Sequence, residues 1–364
     1  MNPSPFKWIT QLYPAAAMLT GLVLTQIIAT FQVYFSNRSL YHTLTAIHGT
    51  GYLTLPNQQT FGRLQELATA LCGGLFFTLS AGAGICLLSF AAAWLWDRVC
   101  QRKTVFLVLM LLAWMGLSAG VNWKGFSPFT SLYFVVIPPV VFAGALKWMP
   151  HGNRKQPRRT GLLHIIPIMV LGVLWAPQMK RDLFINIRDH LLLSNPLGER
   201  IVNFYYQYTL YPAEVIKPLD RKLLKTCTLE TIPEGPYKSE LRKSLSTHDW
   251  IETVNFEDVD LVLTCSGSEL LLKNGSGTVL KIPKKDFLAH PAAHLKRFSS
   301  ATDRHVFFRQ FTFYSLLMGF PIILYIFSYS LVFLILSRWI KPGIASLASA
   351  GLCFSAGLLM LMPL

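Results

Sequence analysis

The sequence predicts a polytopic α-helical membrane protein, with about seven transmembrane helices and a small extracytoplasmic α+β domain inserted between helices five and six. Composition is the first observation: of 364 residues, 52% are hydrophobic and only 14% are charged, against about 25% charged residues in a soluble domain. The second observation is a set of long apolar runs, and the third is one long polar stretch between the fifth and sixth runs. Together they predict a membrane domain over residues 1–179 with five helices, the α+β domain over 180–310, and a membrane domain over 311–364 with two helices.

Seven apolar runs reach or approach the length of about 18 residues that marks a candidate transmembrane helix. They cover residues 13–35, 68–96, 105–121, 131–148, 162–179, 311–336 and 345–362. No Asp or Glu lies inside any of these runs. Because ionisable residues within a membrane usually mark proton relays and ion paths, the runs disfavour an ion-coupled pump or an aspartyl intramembrane protease.

The basic residues outside 180–310 predict the orientation. Eleven of these 14 residues lie before the first run or in alternate loops, when Lys147 at the end of the fourth run is counted with the loop that follows it, and only Arg38, Arg63 and Lys124 lie in the loops between. Loops rich in Lys and Arg stay on the cytoplasmic side. The pattern therefore predicts a plasma or inner membrane protein with a cytoplasmic amino terminus, and with residues 180–310 and the carboxyl terminus extracytoplasmic.

The net charge of +15 does not indicate a nucleic-acid partner. Residues 180–310 hold 19 Lys and Arg against 16 Asp and Glu, so most of the positive excess belongs to the loops between apolar runs. The expected partners are the lipid bilayer and membrane or extracytoplasmic proteins, with no nucleic acid.

An amphipathic segment follows the fifth apolar run. The stretch RDLFINIRDHLLL over residues 181–193 places most of its apolar side chains on one helical face. Such a helix either lies in the membrane interface or packs on its own domain. Pro196 is expected to end it, because proline disfavours helical geometry in the preceding residue.

The next segment, NFYYQYTLYPAE, concentrates tyrosines. The candidate interface or binding residues are Phe204, Tyr205, Tyr206, Tyr208 and Tyr211. Phe204, Tyr208 and Tyr211 share one helical face, while Tyr206 lies off it. Tyrosine has an apolar ring and a polar tip, which suits the lipid headgroup level. We expect this segment to seat the outside domain on the membrane; a stacking platform for a ligand is the alternative.

The rest of the polar stretch alternates between strand and helix patterns. Strands are predicted over 225–229 and 260–265, a helix over 237–250, and a hairpin over SELLLKNGSGTVLKIP, with its turn at 274–277. Asn and Gly tolerate the positive φ angles of a tight hairpin turn. One helix against three or four strands gives a small β-α-β-β module.

Cys227 and Cys265 are the two cysteines of the predicted outside domain. An even pair in an oxidising compartment predicts a disulfide, and two buried thiols are the alternative.

Several apolar runs contain candidate helix breaks, at Pro138, Pro139, Pro167, Pro177 and Pro321. Prolines can mark broken helices at a transport site, but transmembrane helices often tolerate them as kinks.

Histidines near the end of the polar stretch form a candidate metal site. His290 and His294 are four residues apart, and His305 follows nearby. On a continuous helix this spacing could align ligands, although Pro291 favours a new helix that begins after His290. No cofactor is predicted.

The preferred functional hypothesis is an accessory or assembly subunit of a cell-envelope complex, with an extracytoplasmic docking domain. A transporter of a neutral or lipid-like substrate is the first alternative. A membrane enzyme with its site at the outer interface is the second, and the sequence leans against catalysis because no catalytic motif is recognised.

Overall fold

The computed structural model describes residues 12–49, 62–149, 158–179, 182–208, 210–254, 258–275 and 277–363. In these ranges six helices are long and apolar enough to cross a membrane. A separate five-stranded sheet lies between the fourth and fifth of them in sequence. The chain is therefore a predominantly helical, multi-pass type of protein with a small α+β region, as the composition predicted.

The amino-terminal helices form the centre of the bundle. They are α1 (Tyr13–Gly49), α2 (Leu67–Phe77), a π-helical turn (Thr78–Gly82) that continues into α3 (Ala83–Arg98), α4 (Thr104–Asn122) and α5 (Pro128–Trp148). Helix α1 packs along both α2 and α5. Helix α4 differs from the others, because only 6% of the residues in its apolar stretch are buried against the rest of the protein.

The predicted fifth run forms a shorter apolar helix. Helix α6 spans Arg158–Trp175 and ends in a 3₁₀ turn, Ala176–Gln178, and its described apolar part is Ile166–Gln178. The last two spans are α13 (Val306–Tyr314), which continues through a π-helical turn (Ser315–Gly319) into α14 (Phe320–Leu336), and α15 (Pro342–Leu361). Helix α15 packs on both α14 and α6.

Close approach of backbones holds the bundle together. A methyl group placed on Gly84 of α3 would lie 2.0 Å from the Oγ atom of Ser315, so only glycine fits there. Gly319 reaches the backbone of Gly84 from the same π-helical turn. Small residues permit such contacts, and in lipid the dispersion contacts they allow replace the hydrophobic force between helices.

The predicted breaks at Pro138, Pro139 and Pro167 are not found. All three prolines lie inside continuous helices, the first two in α5 and the third in α6. Pro177 does mark an end, since it lies in the 3₁₀ turn that closes α6. Pro321 lies in the first turn of α14, directly after the π-helical turn.

At two of the prolines, a backbone carbonyl accepts a hydrogen bond from a tryptophan of another helix. Proline has no N–H, so the carbonyl four residues earlier loses its helical partner. Before Pro138 this is the Phe134 carbonyl, which accepts a hydrogen bond from Nε1 of Trp114 on α4. Before Pro321 it is the Leu317 carbonyl, which accepts from Nε1 of Trp175 at 3.0 Å. Neighbouring helices thus satisfy these two groups, which makes both prolines tolerable in lipid.

The polar stretch begins with short helices and continues into a mixed sheet. The helices are α7 (Leu183–Asn186), which runs into a π-helical turn (Ile187–Leu192), α8 (Pro196–Tyr208) and α9 (Leu210–Ile216). The strands are β1 (Lys225–Thr228), β2 (Trp250–Glu252), β3 (Leu261–Ser266), β4 (Glu269–Asn274) and β5 (Gly277–Pro283), in the order β2-β1-β3-β4-β5. Strand β1 is parallel to both neighbours, and β3, β4 and β5 are antiparallel.

Helices cover one face of this sheet. They are α10 (Pro236–Thr247), between β1 and β2, and α11 (Lys284–Ala289) and α12 (Pro291–Thr302), after β5. Leu263 and Leu272 lie opposite each other on the covered face and are fully buried with Phe287 and Phe298. Because side chains alternate along a strand, Val262, Thr264 and Leu271 point to the other face, where they are only half-buried.

Most predicted elements of this region are present. The strands over 225–229 and 260–265 appear as β1 and β3, and the hairpin pairs Asn274 with Gly277 at its turn. The predicted helix over 237–250 ends at Thr247 instead. Asp249 adopts a positive φ of 61°, which a helix interior does not allow, and Trp250 then begins strand β2.

The predicted disulfide between Cys227 and Cys265 is wrong, since both cysteines are free thiols. Cys227 lies opposite Leu261 in the sheet, and Cys265 lies four residues further along β3. Four residues of strand extend about 13 Å, and a disulfide requires Cα atoms about 4.4–6.8 Å apart. Burial raises the pKa of the Cys227 thiol to about 12, so it stays protonated.

Candidate functional site at the base of the sheet domain

The aromatic segment forms helices α8 and α9, and both pack on the bundle. Asn195 caps α8 through its Oδ1 atom, which accepts a hydrogen bond from the Gly198 N–H at 2.8 Å, and Pro196, which was expected only to end the preceding helix, is the first residue of α8. The contact with the bundle is at Gly73 of α2. A methyl group there would lie 2.6 Å from Cγ of Pro212 and 2.9 Å from the Tyr208 carbonyl oxygen. Close packing against α2 therefore seats the segment.

The tyrosines divide between two environments. The rings of Phe204 and Tyr208 are half-buried and packed together, with centroids 4.9 Å apart, whereas Tyr205 and Tyr206 are exposed. The backbone of Tyr211 lies in α9, and its side chain is outside the described part of the chain. The aromatic stripe thus holds Phe204 and Tyr208 together, and Tyr205 and Tyr206 remain accessible.

Tyr206, which lies off the predicted stripe, contacts the preceding segment. Its hydroxyl accepts a hydrogen bond from Nη1 of Arg188 at 3.2 Å, and Arg188 also pairs with Asp189 at 2.7 Å. The hydrogen bond from Arg188 lowers the pKa of the Asp189 carboxyl below its usual range. Next to this pair, Phe184 of the predicted interfacial helix packs its ring on Phe313 of α13, with centroids 6.0 Å apart. The described part of this segment, residues 182–193, therefore contacts the bundle through Phe184.

An arginine joins the end of α9 to the start of α13. The guanidinium of Arg309 donates from Nη1 to the Ile216 carbonyl at 2.7 Å and from Nη2 to Oδ2 of Asp303 at 2.7 Å. The Asp303 side chain is 8% exposed and also accepts from the backbone N–H of His305. Charge-assisted bonds of this kind are stronger than neutral ones, so Arg309 acts as a clamp on the two connections, after α9 and before α13, through which the sheet domain joins the bundle.

Two further contacts hold the chain between α9 and β1. Glu214 forms an ion pair with Lys217 and accepts a hydrogen bond from the Leu223 N–H at 3.2 Å. Asp220 accepts from the Ser299 hydroxyl at 2.9 Å, and the same hydroxyl accepts from the Asp220 N–H. The connection from the bundle to the sheet is therefore tied at several points.

His305 lies at the start of α13 and is largely buried. Its Nδ1 atom has no hydrogen-bond partner. Desolvation lowers the pKa of the imidazole, and the nearby cations Lys222, Arg309 and Arg304 lower it further against the opposing effect of Asp303. The neutral imidazole is therefore the form that the fold favours.

The three histidines of the candidate metal site lie apart. His290 precedes α12 and His305 follows it, and a helix of 12 residues extends about 18 Å. His294 lies 3.1 Å from Oδ2 of Asp286, with its ring stacked on Phe287. In the described ranges no three His, Cys, Asp or Glu side chains come together as metal ligands.

A second polar cluster lies inside the bundle. Gln26 of α1 donates to the Leu71 carbonyl at 2.8 Å and accepts from the Thr78 hydroxyl at 2.7 Å. Gln32 accepts from the Tyr133 hydroxyl at 2.8 Å. These neutral pairs satisfy groups that lipid could not, and they tie α1 to α2 and α5.

The sequence pattern did not reveal the arginine clamp or the glutamine pairs. The signal available for the clamp is DRHVFFR, in which Asp303 and Arg309 precede an apolar run. The pattern does not show that the partner carbonyl belongs to Ile216, some 90 residues earlier. What the assembled site offers is a set of hydrogen bonds at both connections to the sheet, with exposed tyrosines beside them. No family model, curated protein or solved structure matches the chain.

Proposed function

We propose that the chain is an accessory or assembly subunit of a cell-envelope complex, in which the sheet domain docks a protein partner on the extracytoplasmic side. The observation that carries the proposal is a sheet with one open face on a domain clamped to the membrane bundle. The open face offers Val262 and Leu271 as half-buried apolar side chains, with the exposed Lys281 beside Leu271 in the register.

Two cations on this face favour a partner with acidic side chains, while the acid Glu269 lies at the far end of the same face, opposite Ser266. Lys273 lies opposite Val262, and Lys281 lies opposite Leu271, so two cations flank the apolar centre. An interface of this kind combines an apolar core with charged groups at its rim. The clamp favours docking as well, because a partner bound to the sheet would be held at a fixed position above the bundle.

The direction of the spans supports an extracytoplasmic sheet. The rings of Phe77 and Phe308 lie 6.0 Å apart, and seven residues later in both helices Gly84 meets Ser315, so α2–α3 and α13–α14 run parallel. Helix α5 shares this direction. Its Tyr133 packs on Phe308, and further along the helix Val141 lies beside Gly21 and Cys86.

Two successive long spans, α5 and α13, therefore point the same way. A chain can do this only if it crosses the membrane once between them, and α6 is the apolar helix in that interval. This favours seven crossings. Combined with the basic loops, it favours a cytoplasmic amino terminus, an outside sheet and an extracytoplasmic carboxyl terminus.

Site-specific photo-crosslinking in native membranes tests the docking proposal. A photoreactive phenylalanine analogue at position 271 of the full chain is expected to form one discrete protein adduct. Charge reversal at Lys273 and Lys281 (K273E, K281E) is expected to remove that adduct, because it opposes the acidic partner. The matched control carries the photoreactive residue at position 285, where Lys285 is exposed on α11 away from the open face.

The control and the charge reversal decide the outcome. Adducts of equal yield at positions 271 and 285, or an adduct that survives the double charge reversal, would overturn the proposal. Folding of each variant is checked by size-exclusion chromatography of the detergent-solubilised chain.

Transport of a neutral or lipid-like substrate is a second candidate function. It is favoured by the two π-helical turns that lie inside the bundle. The turns Thr78–Gly82 and Ser315–Gly319 face each other in the bundle, and π-helical turns are frequent at functional sites. Their buried hydroxyls, such as Ser80 and Ser315, are neutral. If transport is the function, Ser80→Ala should abolish uptake of a fluorescent lipid analogue by proteoliposomes while the open-face variants retain it.

A further inference from the structure

We infer that a cleft between helices α4 and α13 binds a phospholipid with an anionic headgroup. The cleft has a volume of about 260 Å³, and it lies between the end of α4, at Gly120, Trp123 and Lys124, and the start of α13, at Arg304, Val306 and Phe307. This inference does not depend on the docking function proposed above.

Two cations form the mouth of the cleft. Lys124 and Arg304 come from different elements and are both exposed, and neither forms an ion pair with any residue that the structure describes. The nearest acid in sequence, Asp303, is already engaged by Arg309. The mouth therefore keeps its positive charge, which complements a lipid phosphate.

The backbone at the turn after α4 positions Arg304. Gly125 has a backbone φ of 134°, which residues with a side chain rarely adopt. A methyl group there would lie 3.2 Å from Cδ of Arg304, so the arginine stem lies across the glycine. This contact holds the guanidinium on the same side as Lys124.

The level of the cleft suits a headgroup. Trp123 is 85% exposed at the end of an apolar helix, and tryptophan in such a place marks the boundary between lipid and water. The opposite end of the bundle carries a similar residue, Trp339, which is 84% exposed. The two cations thus stand where a lipid phosphate would lie.

An apolar path leads from the cleft along α4. At Gly120 the helix touches the ring of Phe307, since a methyl group there would lie 3.1 Å from it. One turn deeper on the same face, Gly116 has open space beside it, and Met115 and Leu112 are exposed. An acyl chain can pack along this apolar path, whereas a free phosphate ion would make no favourable contact with it.

Native mass spectrometry of the delipidated full chain in detergent tests the inference. The chain is titrated with palmitoyl-oleoyl-phosphatidylglycerol, and with the phosphatidylcholine of the same acyl chains. The wild type is expected to bind phosphatidylglycerol more tightly than phosphatidylcholine. The double variant K124Q/R304Q is expected to bind phosphatidylglycerol about 10-fold to 30-fold more weakly. The control K296Q/R297Q makes the same charge change on α12 and should leave binding unchanged.

Two further arms distinguish a lipid from a free phosphate. Gly116→Leu fills the acyl path without touching the cations, so it should weaken phosphatidylglycerol binding by about 5-fold or more. Excess inorganic phosphate should fail to displace the lipid. If the double variant does not fold, K124Q alone replaces it, with a smaller loss expected. Unchanged binding in the cation variants, or complete displacement by inorganic phosphate, would overturn the inference.

Discussion

The membrane bundle and the sheet domain hold their elements together in different ways. In the sheet domain, large side chains such as Leu263, Leu272 and Phe287 are removed from water into one core, and this burial supplies the main stabilising force. In the bundle, Gly84 meets Ser315, and neutral side chains such as Gln26 bond to backbone carbonyls. Lipid is as apolar as leucine, so helices gain little by hiding apolar surface from it. The difference teaches that the bundle depends on close fit and the sheet domain on buried volume.

Added volume at Gly84 is expected to have the largest effect, because it attacks the close fit directly. In Gly84→Val the new side chain would collide with Ser315, and we expect a loss of about 4 kcal/mol or more, at the upper end for overpacking. Unfolding in mixed detergent micelles, followed by circular dichroism, measures it. Gly172→Val is the control, since a methyl group on Gly172 would have no atom within 4 Å apart from its chain neighbours and its own helix backbone. Equal stability of the two variants would contradict the close-fit account.

Removed volume should instead damage the sheet domain. Leu263→Ala deletes a fully buried side chain, and we expect a loss of about 3 kcal/mol. Urea unfolding followed by backbone amide hydrogen exchange in β3 and β4 would report it. Val262→Ala on the open face is the control and should cost much less. A smaller loss at Leu263 than at Val262 would show that the covered face is assigned wrongly.

The arginine clamp joins the two regions, so breaking it tests whether they are coupled. Asp303→Asn leaves Arg309 without its carboxylate, and we expect a loss of about 2 kcal/mol, less than for a fully buried pair because Arg309 is 30% exposed. Limited proteolysis at the junction should accelerate. Asp189→Asn removes an exposed partner of Arg188 and should leave the proteolysis rate unchanged, which distinguishes the clamp from a surface ion pair.

A smaller effect is expected from the indole bond on α4. Trp114→Phe leaves the Phe134 carbonyl without its donor, and interhelical hydrogen bonds in membranes contribute about 1 kcal/mol. Because α4 is barely buried, crosslinking between cysteines introduced on α4 and α5 should fall. Trp339→Phe, at an exposed tryptophan, is the control. Unchanged crosslinking in Trp114→Phe would mean that the bond does not position α4.

The smallest effect is the pH dependence due to His305. Its pKa in the folded state lies below the ordinary value of 6.5, so the unfolded chain takes up a proton first as the pH falls. The stabilisation is fully present above about pH 6.5 and is lost as the pH falls through the lowered pKa. The urea midpoint of His305→Gln should therefore fall less between pH 7 and pH 5 than that of the wild type. An equal fall in the two urea midpoints would contradict this role of His305.

Local patterns predicted the local structure well. Asn274 and Gly275 marked the hairpin turn, and six of the seven apolar runs coincide with helices long and apolar enough to cross a membrane. The failures concern pairing between distant segments. The spacing of Cys227 and Cys265 does not show the strand register that separates them. The sequence pattern did not predict the strand that begins at Trp250, because the turn before it depends on the positive φ angle of Asp249.

The candidate site was predictable only in part. The tyrosines pointed to a segment that packs on α2 at Gly73, and its expected position at the membrane surface stays a prediction from composition. The clamp required knowledge of which carbonyl Arg309 would reach. The same holds for the cleft, because Lys124 and Arg304 are 180 residues apart in the chain.

Because the Trp114 indole bonds to the carbonyl four residues before Pro138, a substitution at one of these two residues affects the other. If Pro138 were replaced by a residue with a backbone N–H, that N–H would bond to the Phe134 carbonyl within the helix and would compete with the Trp114 indole for this acceptor. Replacing the tryptophan alone would leave the carbonyl bare in lipid. Each change is therefore tolerated best when the other accompanies it. The same rule applies to Trp175 and Pro321, through the Leu317 carbonyl, so a redesign of this bundle must treat its prolines and these tryptophans together.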